Sequence, residues 1–186
     1  MSRRLRNFLD RPDRPEKTPA LRHWRRLLAV AALATAMAST PALAETDAGI
    51  EALKQGDYGI ALKELTPPAK EGDARAQANL ASIYHHGLGV ATSFARAFHW
   101  YRAAALQGNT DGEIGLAILY FYGQGVPKDL ASAHMWLTVA LDAMPEGSDR
   151  ERLRADRDAL AQGMTPAQLQ QSAVLVQSWY RDHQAP

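Results

Sequence analysis

The sequence predicts an all-α protein built as a repeat array, with helix pairs stacked at a 36-residue period and closed by helices that do not repeat. Three observations predict it. Residues 73–108 and 109–144 align without a gap and agree at ten of 36 positions, all apolar residues or glycines. A fixed period of this length marks units that bury their apolar faces only by stacking on one another. Within each unit, apolar residues recur at three- and four-residue spacing, as one face of a helix requires. Cysteine is absent from all 186 residues, so neither a disulfide framework nor thiolate chemistry is available.

The N-terminal part differs in charge from the rest. Residues 1–44 hold nine of the 21 Lys/Arg and three of the 20 Asp/Glu, which leaves 12 basic and 17 acidic residues over 45–186. That mildly acidic remainder argues against nucleic acid as a partner. Arg22, Arg25 and Arg26 precede an uncharged stretch from Leu27 to Ala44 that ends in Ala42-Leu43-Ala44. A basic segment, an apolar segment and an A-x-A ending make a secretory signal. Residues 1–44 are therefore expected to be a signal peptide, cleaved after Ala44, with the product periplasmic or secreted. The alternative is an uncleaved segment that anchors the protein in the inner membrane. Its length is at the short limit for a span, and Thr35, Ser39, Thr40 and Pro41 interrupt it. No other part of the chain suggests a membrane contact.

Residues 45–72 form a degenerate first unit. A helix is expected from Ala48 to Lys54, a break at Gln55-Gly56-Asp57, and a second helix from Tyr58. Pro67 and Pro68 are expected to kink or shorten that second helix, because proline lacks the amide donor. Ala61, Ala69 and Gly72 stand 36 residues before Ala97, Ala105 and Gly108.

The unit 73–108 opens with a helix over Ala74–His86 that carries Ala76, Leu80, Ile83 and Tyr84 on one face. Gly87-Leu88-Gly89-Val90 stops it, since glycine takes a left-handed backbone without steric penalty. A second helix follows from about Ser93 to Leu106, with Ser93 as its cap and Phe94, Ala97, Trp100, Tyr101 and Ala104 inside. The unit 109–144 repeats the plan: a helix over Thr110–Tyr122, a turn at Gly123-Gln124-Gly125-Val126-Pro127, and a helix over Asp129–Ala143 capped by Asp129. Residues 145–186 are expected to form a capping helical hairpin. Its first helix runs from Glu146 to Gln162 with Asp149 as a candidate cap. Its second opens at Thr165-Pro166 and reaches about Asp182, with Leu169, Ala173, Val176 and Tyr180 in one stripe.

The residues Leu80, Tyr84, Gly87, Gly89, Val90, Ala97, Trp100 and Ala104 return as Leu116, Tyr120, Gly123, Gly125, Val126, Ala133, Trp136 and Ala140. This pattern resembles the Sel1-like repeat family, relatives of tetratricopeptide repeats. Ala81 and Ala117 replace that pattern's usual glycine, Leu137 an expected tyrosine, and Met144 a closing glycine. The resemblance implies an α-solenoid whose concave face, lined by the first helix of each pair, binds other proteins. A cysteine-rich branch of that family is credited with β-lactam hydrolysis; this chain has no cysteine.

On that geometry the concave residues are Arg75, Ala78, Ser82, His85 and His86 in one unit. The matching positions in the next are Asp111, Ile114, Ile118, Phe121 and Tyr122, an apolar set for a surface. Two readings stand side by side. In one, Phe121 and Tyr122 anchor a protein or peptide partner, with Arg75, His85 and His86 as polar contacts. In the other, the C-terminal hairpin folds over them and they are ordinary core. His85 and His86 are adjacent and point about 100° apart on a helix, so a shared metal ion is not expected. No Ser-x-x-Lys, Gly-x-Ser-x-Gly, His-Glu-x-x-His or phosphate loop is present. Asp and Glu residues read as caps and solvated faces. The expectation is a non-enzymatic, exported adaptor that needs no cofactor and binds a protein or peptide. A cell-wall-directed hydrolase and a membrane-anchored helper are the alternatives.

Overall fold

A computed structural model describes residues 40–183, which contain eight helices and no strand. They are α1 (Thr40–Gln55), α2 (Tyr58–Glu71), α3 (Ala74–His86), α4 (Phe94–Ala105), α5 (Thr110–Tyr122), α6 (Leu130–Ala143), α7 (Ser148–Gln162) and α8 (Pro166–His183). The expected signal segment lies outside the described residues, apart from its last five, which begin α1. Among the described residues no helix is long and apolar enough to cross a membrane.

Consecutive helices from α2 to α6 pack on one another, and α3 also touches α5, so the array is an all-α solenoid with first helices side by side. Small residues make the close approach possible. Ala76, Ala81, Ala97, Ala104, Ala117, Ala133 and Ala140 are buried between helices, with Leu80, Ile83, Leu116, Leu119 and Trp136 filling the space between them. Gly115 allows the tightest contact: a Cβ there would lie 2.5 Å from the Tyr101 ring.

The helix ends follow from local chemistry. Asp73 Oδ1 accepts from the Ala76 amide at 2.8 Å, Asn109 Oδ1 from Gly112 at 2.9 Å, and Asp129 Oδ1 from Ala131 and Ser132 at 3.0 and 3.2 Å. Gly87 and Gly123 close α3 and α5 with φ of 70° and 71°, the left-handed region that costs other residues about 1 kcal/mol or more. Thr165 and Gln168 form a reciprocal capping box at the start of α8.

Five expectations need correction. The first helix is longer than Ala48–Lys54 and runs from Thr40 to Gln55, because the Ala42-Leu43-Ala44 run is also helix-forming. Pro67 and Pro68 neither shorten nor end α2, which continues to Glu71. Pro68 and Ala69 are buried, so packing holds the backbone helical, and Gly72 and Asp73 amides donate to the Ala69 and Pro68 carbonyls. Ser93 sits at the start of α4 but its hydroxyl caps nothing. Asp149 is inside the first turn of α7, behind Gly147, where its charge still favours the helix N-terminus. Ala78 is almost wholly buried rather than exposed, although it lines a hollow between α3 and α5.

The two last helices each pack on α6. Leu153 of α7 joins Ala140 and Leu141 in a small core. Trp179 of α8 meets Trp136 edge to face, with ring centres 4.8 Å apart, and His134 shares a 2.9 Å hydrogen bond with buried Ser172.

Candidate functional site

The side chains of α5 that leave the core form one stripe: Ile114, Ile118, Phe121 and Tyr122, spaced as a helical face requires. They floor a trough of about 630 Å³. Leu130, Ala133 and Leu137 of α6 form its base on one side, and Leu153, Asp156 and Leu160 of α7 stand opposite. A second hollow of about 240 Å³ lies between α3 and α5. It is lined by Ser82, Tyr101 and Asp111 and shares Ile114 and Ile118 with the first. The two together run across the first helices of both repeats.

The aromatic pair at the open end is accessible. Phe121 is 37% exposed and Tyr122 65%, their rings edge to face at 4.8 Å. Helix α7 walls the trough without covering them. Lys128 lies 5.4 Å over the Phe121 ring, a cation–π contact that holds a positive charge beside an apolar floor. Asp156 and Asp111 supply the negative charges along its length.

The proposed polar contacts divide. Ser82 and Asp111 line the trough. His86 is exposed, with Nδ1 at 3.0 Å from the Ser82 carbonyl. His85 turns inward: its Nε2 is 3.3 Å from Gln124 Oε1 in the next repeat's turn, and Phe94 and Tyr101 meet its ring edge-on. Burial, and then the neighbouring His86 charge, hold the His85 pKa below its ordinary value, against the Gln124 bond. Arg75 pairs with Asp47 of α1 at 3.0 Å. Among the described residues no three His, Cys, Asp or Glu side chains gather where a metal ion could be held.

Sequence reasoning missed the facing wall. Leu153 and Leu160 are seven residues apart in a helix that otherwise reads as a charged solvated run, and that i, i+7 pair was the available signal. Tyr101 was assigned to the core, yet it also lines the smaller hollow; burial pushes its phenol up to about 12 while the Ser82 hydroxyl opposes the shift.

Glu113 corrects the expectation that every carboxylate caps a helix or faces solvent. It is 1% exposed, and its Oε2 has no hydrogen-bond partner. Burial pushes its carboxyl up to about 7. It lines a third cavity, of about 480 Å³, at the opposite ends of α5 and α6 from the trough.

A family model described as Sel1 repeat matches residues 74–109 and 110–143. Among solved structures, a protective antigen present in uropathogenic Escherichia coli strains and displaying an SLR fold superposes with a TM-score of 0.69. It is 26% identical, over 78% of this chain and 31% of its own. A Sel1 repeat protein from Oxalobacter formigenes is 40% identical over 45% of this chain and 24% of its own, with a TM-score of 0.44. The chain thus spans less than a third of the length of either. No curated protein matches it.

Proposed function

We propose that the chain, a Sel1 repeat protein across residues 74–143, is a non-enzymatic scaffold that holds a protein or peptide partner in its concave trough. Proteins with these repeats commonly act as interaction scaffolds. One observation carries the finer reading: Ile114, Ile118, Phe121 and Tyr122 form an unbroken apolar stripe that stays open between α6 and α7. Exposed aromatic and aliphatic groups in a walled groove are the usual energetic centre of a protein interface. Lys128 at one end and Asp156 on the far wall would fix the direction in which a peptide lies.

Export is part of the same proposal and rests on the sequence: Arg22, Arg25 and Arg26, the Leu27–Ala38 segment and the Ala42-Leu43-Ala44 ending. Intact mass of the protein from cells tests it. A chain that starts at Glu45 supports periplasmic or secreted placement; a chain that retains Leu27–Ala44 supports the inner-membrane anchor instead.

The binding reading is tested by photo-crosslinking. A benzophenone side chain is placed at Ile118 in the trough, or at Lys63 on the exposed side of α2. A partner trapped from Ile118 and not from Lys63 supports the trough. Equal trapping at both, or trapping at Lys63 alone, overturns it.

A further inference from the structure

The second repeat departs from the first at one place where the first satisfies its own polar groups. In the first repeat Gln77 is buried. Its Nε2 donates to the Ala69 carbonyl at 3.0 Å and its Oε1 accepts from Gln107 Nε2 at 2.8 Å. Thirty-six residues later, Glu113 stands for Gln77, Asp142 for Leu106 and Ala143 for Gln107. The amide donor of Gln107 has no counterpart, and truncation to Ala143 opens the cavity of about 480 Å³ between the α4–α5 turn, the end of α6 and α8.

Two carboxylates dominate the charge around this cavity. Glu113 lines it, almost wholly buried, with Oε2 unpartnered. Asp142 lies on the same wall and accepts from the Tyr180 hydroxyl. Trp179 and His183 stack with ring centres 3.6 Å apart, and His183 Nδ1 is already bonded to the Trp179 carbonyl at 2.9 Å. The C-terminal ends of α4 and α6 meet here, where backbone carbonyls add partial negative charge. No lysine or arginine lines the cavity.

We propose that this cavity binds a primary alkylammonium group, whose N–H donors reach Glu113 and Asp142 as the Gln107 amide reaches Gln77 one repeat earlier. An ammonium carries three donors and no acceptor, which suits a site whose buried carboxylate oxygen lacks a donor. Leu106, Val139 and Trp179 present the apolar surface along which an alkyl stem lies. The same chemistry is found in a partner's lysine side chain and in a free alkylamine. The site is separate from the trough, so either can fail without the other.

Calorimetric titration of the full chain tests the proposal with three probes: pentylammonium chloride, Nα-acetyl-lysine methylamide and neutral pentanol. Saturable binding of an ammonium probe without binding of pentanol is expected. Glu113→Gln and Asp142→Asn should each weaken it at least tenfold. Asp142 is exposed, so its variant carries the test if Glu113→Gln does not fold. Tighter binding of the lysine derivative assigns the site to a partner's lysine, and tighter binding of pentylammonium to a free amine; both support the proposal. Ammonium probes that bind no better than pentanol, or that bind the folded variants as they bind wild type, overturn it.

Discussion

The backbone at Gly125 rests against the carbonyl of Phe94, so that a Cβ on Gly125 would lie 2.6 Å from that oxygen. Thirty-six residues earlier Gly89 stands in the same way against Tyr58, where a Cβ would lie 2.7 Å from the Tyr58 Cβ. In each case the second glycine of a turn sits on the first or second residue of a helix one repeat upstream. The Gly-x-Gly pair therefore has two jobs: its first member ends a helix and its second locks adjacent repeats.

That division predicts unequal costs. Gly123→Ala should lose about 1–2 kcal/mol, from its left-handed backbone and a 3.2 Å approach to Lys128 that a small shift relieves. Gly125 has φ of 74° and also a backbone neighbour that cannot yield, so Gly125→Ala should lose about 3 kcal/mol. Urea melts of both variants decide it. Equal losses would contradict the interlocking role.

Capping should separate Asp129 from Ser93, which occupy the same repeat position. Asp129→Ala removes bonds to the Ala131 and Ser132 amides and should cost about 1 kcal/mol. Ser93 makes no such bond, so Ser93→Ala should be nearly neutral in the same melts.

Glu113 should make stability fall as pH rises. Its carboxyl ionises at about 7 in the folded chain and at 4.5 when unperturbed. Between those values the folded state holds the proton that the unfolded state has lost, so its contribution is greatest below about 4.5 and is lost as pH passes 7. The full change is on the order of 3 kcal/mol. Asp142 and Tyr180 face the same cavity and stay in place in the test. Without any amine present, wild-type melting should weaken across this window, and Glu113→Gln should flatten that dependence. Parallel profiles would show that Glu113 is not the group responsible.

Helix α8 is held to α6 by Trp179 on Trp136, Ser172 on His134 and Tyr180 on Asp142. Trp179→Ala should cost roughly 2 kcal/mol, less than a fully buried tryptophan because the residue is only partly buried. Hydrogen exchange should then speed up in α8 before α3–α6. Uniform acceleration would mean that α8 is integral to the array.

The repeat units were legible because their ends are written in local chemistry. Gly87 and Gly123 terminate, Asp129 caps, and the apolar period is strong, so the bounds of α3 and α5 follow directly; the Asp73 and Asn109 caps emerge only in the structure. Elsewhere tertiary packing overrode local rules. Pro67 and Pro68 read as helix breakers, yet burial of Pro68 and Ala69 keeps α2 intact. The trough was half legible. The α5 stripe from Ile114 to Tyr122 is visible in the residues, whereas its α7 wall depends on where Ser148–Gln162 returns in space. The partners of Arg75 and His85 were not legible for the same reason: Asp47 and Gln124 are distant in sequence. Buried Glu113 was overlooked, although its alignment with Gln77 was the clue.

The trough is tested most directly by the double variant Phe121→Ala/Tyr122→Ala, measured for stability and for partner capture together. Tyr122 is 65% and Phe121 37% exposed, so melting should change by no more than about 1–2 kcal/mol while crosslinking from Ile118 is lost. A loss of 3 kcal/mol or more, of the order seen for buried aromatics, would show a core seam rather than a binding surface. A stably folded double variant that captures the same partner as wild type would contradict the account outright.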